Sequence, residues 1–92
     1  MGRTALHYAA CNGWNDIVED LINAGADVNS VTIGGETPLM KAVFFTKTEC
    51  VHTLLQNGAN PFYTDNTGKT ASDISTMVGN QEIYNIIQSS ST

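Results

Sequence analysis

Positive charge is scarce in this chain: four Lys and Arg stand against nine Asp and Glu, a formal net charge of −5. Nucleic-acid affinity is built on cationic contacts to phosphate, and anionic membrane surfaces also draw Lys and Arg, so the balance argues against both as partners. Long apolar runs are missing too. Nothing approaches the roughly 20 residues that a membrane-spanning helix needs, and no basic-then-apolar leader opens the chain. Cysteine is limited to Cys11 and Cys50, fewer than a small secreted scaffold usually carries. They read as reduced thiols, and the expected setting is intracellular and reducing, cytoplasmic or nuclear. Phosphate-cradling loops are also absent, because Gly34-Gly35 lacks the lysine and helix register of a P-loop. No cofactor is implied. At 92 residues the chain is one domain or part of one, and a lone core of that size buries a modest share of its surface.

What the chain does have is repetition. Gly2-Arg3-Thr4-Ala5-Leu6-His7-Tyr8-Ala9 returns as Gly35-Glu36-Thr37-Pro38-Leu39-Met40-Lys41-Ala42 and again as Gly68-Lys69-Thr70-Ala71-Ser72-Asp73-Ile74-Ser75, each copy 33 residues after the last. Gly25-Ala26-Asp27-Val28-Asn29 returns at the same spacing as Gly58-Ala59-Asn60-Pro61-Phe62. Leu21, Leu54 and Ile87 fall at one position of the period, and Ile17, Cys50 and Ile83 at another. A fixed period of this length predicts one supersecondary unit stacked on itself, with neighbours sharing a continuous core.

These residues resemble the ankyrin repeats, whose unit runs turn, T-P-L-H-x-A-A, helix, second helix, then G-A-D-V-N. The resemblance covers Gly2 to about Gln88. It implies an all-α solenoid of helix-turn-helix units, just under three repeats: repeat one over 2–34 without its leading turn, repeat two over 35–67, a C-terminal capping repeat over 68–88, and a polar tail over 89–92.

Thr4, Thr37 and Thr70 are expected to cap the inner helices, with Pro38 at a first helical position where its missing donor does no harm. Gly13 should end the first of these helices. The next helix, from about Asn15 or Asp16 to Asn23, should bury Ile17, Val18, Leu21 and Ile22 and expose Asp16, Glu19 and Asp20. Repeat two departs from the family pattern twice. Met40 replaces the usual histidine and loses a side-chain bond to the turn, and Thr46 replaces the glycine that would end the helix. Thr48 is expected to cap the outer helix that carries Cys50, Val51, Leu54 and Leu55 inward. Ser72, Ser75 and Thr76 replace apolar packing residues, which predicts that no repeat stacks beyond them. Repeat one keeps an internal repeat's apolar content, so the chain is expected to be the C-terminal portion of a longer array whose N-terminal face could self-associate.

Two cysteines and two histidines could suggest zinc, but His7, Cys11, Cys50 and His52 do not have close-pair ligand spacing. In the family a histidine at the position of His7 bonds to the turn, and His52 should face solvent. A nucleophilic role for either cysteine needs a base, an orienting group and an oxyanion site converging in a pocket, and no such set recurs here. The chain is therefore read as non-enzymatic. Trp14 is expected to pack its ring over the loop between helices, the alternative being an exposed anchor.

In ankyrin-like stacks the turn tips and the ends of the inner helices line one concave surface. Carried over by position, these are Arg3, Cys11 and Asn12; Ile33, Gly34, Glu36, Phe44 and Phe45; and Asn66, Thr67, Lys69, Met77 and Val78. Phe44, Phe45, Met77 and Val78 are apolar there. Either they fold back between repeats, or they form an apolar strip rimmed by Arg3, Glu36 and Lys69. The resemblance thus implies a module that binds a helix, loop or peptide of another protein. Two other readings are a structural closing segment, and a substrate of an asparagine hydroxylase at Asn29, which resembles the asparagine modified in some ankyrin repeats.

Overall fold

A computed structural model describes residues 4–90. Arg3 lies outside the described residues, as do 91 and 92. Six α-helices and no strands occur among the described residues. The inner helices are α1 (Ala5–Asn12), α3 (Pro38–Phe44) and α5 (Ala71–Met77); the outer ones are α2 (Asn15–Asn23), α4 (Thr48–Gln56) and α6 (Gln81–Ser90).

Each inner helix begins at a threonine that makes a reciprocal cap. Thr4, Thr37 and Thr70 accept the backbone N–H three residues on, at 3.3, 3.2 and 3.3 Å. In return His7 Nδ1, Met40 Sδ and Asp73 Oδ2 accept the threonine N–H at 3.2, 3.5 and 3.0 Å. Caps of this kind contribute about 1 kcal/mol each. They matter because helices of seven or eight residues are unstable alone.

Two capping expectations change. Thr46 takes the left-handed conformation (φ 57°) that glycine occupies at Gly13 and Gly79, so α3 stops on schedule. A β-branched residue there costs roughly 1 kcal/mol or more. The chain is held by Thr46 N–H to Val43 O (3.0 Å) and Lys47 N–H to Ala42 O (2.7 Å). Thr48 does not cap α4. Lys47 occupies the cap position without a side-chain bond, because that tight return to α3 leads straight into the helix and leaves Thr48 already helical.

The inner helices pack side by side as one layer and the outer helices as a second, each inner helix also lying on its own outer partner. A single apolar core runs between the layers, from Leu6 and Val18 through Leu39, Val51 and Leu54 to Ile83 and Ile87. Cys50, Ile83, Leu54 and Ile87 are fully buried, whereas Ile17 is 46% exposed and Leu21 and Ile22 only partly covered. The expected buried face of α2 thus reduces to Val18. The outer helices cover one another in order, α2 against α4 and α4 against α6, and no hairpin precedes α1 among the described residues to cover α2 from that side. Trp14 is likewise exposed rather than packed over its loop. It stands where repeat two has Lys47, whose stem lies against Gly13.

At the other end Ser75 is buried, bonding back to Ser72 O at 2.7 Å, while Thr76 is exposed. A small side chain that satisfies its hydroxyl within its own helix packs where alanine packs in the earlier repeats. Helix α6 also continues through Ser89 and Ser90, assigned to the tail from sequence.

Candidate protein interface

Two long turns, 26–36 and 59–69, project from the helix layers and form one edge of the site. In each, the residue that opens the tip gathers the backbone around it. Thr32 Oγ1 accepts the N–H groups of Gly34 and Glu36, both at 3.2 Å; Asp65 Oδ1 accepts those of Thr67 and Lys69 at 2.8 and 3.0 Å and the Thr67 hydroxyl at 2.6 Å. The Thr67 hydroxyl bond, followed by the backbone bond from Lys69, holds the Asp65 carboxyl below its ordinary value.

The turns are also tied to each other. Asn66 donates from its backbone to Gly34 O and from Nδ2 to Ile33 O, both at 2.9 Å. Gly35 (φ 78°) is required at this contact, since a Cβ there would lie 2.6 Å from Asn66 Oδ1. Asn29 clamps the turn bases, donating to Gly58 O at 3.2 Å and accepting from Asn60 N–H at 2.8 Å. Its amide is therefore engaged at both ends.

Helix and turn meet through His7. Its Nδ1 accepts from Thr4 N–H, so Nε2 carries the proton and donates to Glu36 O at 2.8 Å. His7 is buried and structural in this geometry. Met40, at the same site one repeat later, uses its sulfur for the cap and has no arm to offer the second turn.

Between α3, α5 and the turn tips lies a cavity of about 270 Å³. Its apolar side is Met40, Phe44, Ile74 and Met77; its polar rim is Glu36, Lys41, Asp65, Thr67 and Lys69. The structure thus brings together Glu36, Phe44, Thr67, Lys69 and Met77 of the residues singled out from sequence. Phe44 is 47% exposed and Met77 55%, so neither folds back completely between repeats. Phe45, 42% exposed, stands outside the cavity and meets the Phe44 ring edge-on, centroids 5.0 Å apart. Ile33 and Asn66 are exposed at the turn tips, Val78 is half-buried, and Cys11 and Asn12 belong to the first repeat, away from the cavity. Asn12 donates to Tyr8 O at 2.9 Å.

Lys41 was not singled out from sequence. It is nearly buried, its Nζ 2.9 Å from Glu36 Oε1. The period could have found it: Tyr8, Lys41 and Ile74 share one position, three residues before Cys11, Phe44 and Met77, so each pair lies on one helix face.

A larger depression, about 510 Å³, lies between α4 and α6 and is lined by His52, Leu55, Glu82 and Ile86. None of the residues singled out for partner binding reaches it. Cys11 and Cys50 are free thiols, and burial, followed by the neighbouring Glu49, pushes the Cys50 thiol up and away from thiolate chemistry. Among the described residues no three of His, Cys, Asp and Glu cluster as a metal would need, and no helix is long and apolar enough to cross a membrane.

A family model for ankyrin repeats, in three copies, matches residues 6–91. The tyrosine-protein kinase HTK16 of Hydra vulgaris is 41% identical over 61 residues, which is 66% of this chain and 8% of the kinase. Protein phosphatase 1 regulatory subunit 12A of Mus musculus is 38% identical over 79% of this chain and 7% of its own length. Dauer abnormal formation protein 25 of Caenorhabditis elegans is 37% identical over 94% of this chain and 22% of its own. The chain therefore spans less than a quarter of the length of each of these relatives.

Proposed function

The chain belongs to the ankyrin-repeat family, and from that premise we propose that it is a non-enzymatic recognition module. It holds a helix, loop or peptide of another protein in the groove between its second and third repeats. The observation that carries this reading is the pairing of half-exposed apolar side chains, Phe44 and Met77, with a fixed polar rim of Glu36, Lys41, Asp65, Thr67 and Lys69. Interfaces concentrate their energy in anchors that become fully desolvated on binding, inside a surround that excludes water. Phe45 supports Phe44 edge to face and extends the apolar strip.

Relatives named as a kinase and as a phosphatase regulatory subunit match this repeat type over a small part of long chains, which suits a recognition role beside other domains. The two free thiols suit a reducing, intracellular setting. The exposed Ala5, Trp14 and Ile17 at the N-terminal face suit contact with a further repeat or a second copy.

The test is a double substitution, Phe44→Ala with Phe45→Ala, compared with the parent chain for partner capture and thermal melting. Capture is expected to fall at least tenfold while melting shifts by only a few degrees. Undiminished capture would remove the groove reading. A collapse of the melting transition would assign the two rings to the core instead.

A further inference from the structure

We infer that the groove between the second and third inner helices is a socket for one large, uncharged apolar side chain of the partner, with Met40 as its floor. The inference rests on the binding role proposed above and specifies what enters.

The first argument compares repeats. In repeat one the third helical position is His7, whose Nε2 reaches Glu36 O at 2.8 Å and closes the gap between helix and turn. In repeat two that position is Met40, whose sulfur is turned to the Thr37 N–H. The polar tie is missing where the cavity of about 270 Å³ lies. An apolar cavity of roughly 150 Å³ accommodates benzene, so this volume admits a phenylalanine- or leucine-sized group. Methionine lines it at floor and wall, Met40 and Met77, and unbranched thioethers adapt their shape to an aromatic or aliphatic guest.

The second argument is charge. The chain carries −5 overall, but the rim of the socket sums to zero. Glu36 is paired with Lys41 at 2.9 Å, and Asp65, bonded by Thr67 and the Lys69 backbone, shares the rim with Lys69. The excess acid lies elsewhere, with Asp16, Glu19, Asp20, Glu49 and Glu82 on the outer helices. A charged side chain entering the socket would lose hydration without meeting an opposite net charge, whereas an apolar one leaves water for an apolar wall. Binding at the socket is accordingly insensitive to salt.

The experiment uses methyl resonances of the three methionines, Met1, Met40 and Met77, in the intact chain. The probes are N-acetyl-phenylalanine amide, N-acetyl-aspartate amide and N-acetyl-lysine amide, at about 50 and 500 mM salt. Expected is a saturable shift of Met40 and Met77 with the phenylalanine probe alone. Met1 should stay still, with a Kd on the order of 1 mM that changes less than twofold with salt. Met77→Ala, at an exposed site, should weaken the probe at least fivefold without affecting folding, and Met40→His should abolish its binding.

The inference is overturned if the phenylalanine probe gives no saturable shift, if a charged probe competes equally, or if Met1 shifts alike. The two readings fail separately. A probe that binds while capture ignores Phe44 and Phe45 sinks the proposed function and keeps the socket; capture that needs Phe44 in a chain blind to the probe sinks the socket alone.

Discussion

The first inner helix is pinned to the turn that follows it, and the second is not. His7 bridges from its own cap to Glu36 O, while Met40 ends at the cap. The turns differ for another reason: the tip at Gly35 is pressed against Asn66 of the next turn, whereas no further turn follows Gly68 among the described residues and a Cβ there would meet nothing within 4 Å. One sequence unit, repeated without insertion, therefore yields one helix-to-turn junction bridged by a side chain and one without that bridge. A period fixes where side chains stand; the identity of a few of them decides whether neighbouring units lock or leave a recess.

The comparison breaks most readily at the glycines. Both have positive φ, 78° and 84°, so alanine strains either backbone, by roughly 1–2 kcal/mol. Only at Gly35 must the methyl also displace Asn66, including its backbone nitrogen at 3.0 Å. Gly35→Ala is expected to cost about 3 kcal/mol or more and Gly68→Ala about 1–2 kcal/mol in urea unfolding. Equal losses would mean that the turns are not stacked as described.

A smaller effect transplants one junction into the other. His7→Met keeps an acceptor for the cap but removes the donor to Glu36 O. The expected loss is about 1–2 kcal/mol, the value of a hydrogen bond to a partly buried carbonyl. On a domain of this size that lowers the melting temperature by roughly 5–15 °C. Amide exchange in the 32–36 segment should quicken relative to the 65–69 segment, which never had the tie. An unchanged melting curve would show that the His7 bridge adds nothing to the junction.

These contrasts divide what the chain discloses from what it conceals. The helices and the threonine caps of the inner ones follow from spacing, because a strict period transfers each inference to three places at once, and the structural role of His7 follows from the family resemblance. Ile17 is exposed because no hairpin precedes α1 among the described residues, and which end of the stack is left uncovered is invisible until repeats are stacked. Trp14 stands exposed for the same reason, the second of the two readings its place allows. Ser75 read as polar, yet a serine that bonds to its own helix packs as alanine does. Of the site, Phe44 and Met77 were legible as apolar residues at inner-helix ends. Lys41 was not, since a lysine one turn earlier looks like a solvated charge until Glu36 is placed beside it.

The smallest difference separates the two residues that organise the turn tips, and acid is the way to see it. Thr32 and Asp65 hold equivalent backbone amides, but only Asp65 titrates. Its folded-state pKa is depressed, first by the Thr67 hydroxyl and then by the Lys69 amide, so the ionised form is the one folding favours. That contribution is full above the ordinary aspartate value of 3.8 and is lost as pH falls through the lower folded value. Because the group is solvent-accessible, the contribution is on the order of a few tenths of a kcal/mol. Chemical denaturation from pH 7 down to about 2 should show the gap between the parent chain and Asp65→Asn closing in acid. A gap at Asp65 that persists at the lowest pH would mean that the carboxylate acts there only as a neutral acceptor, as Thr32 does, and that the two turns are built alike after all.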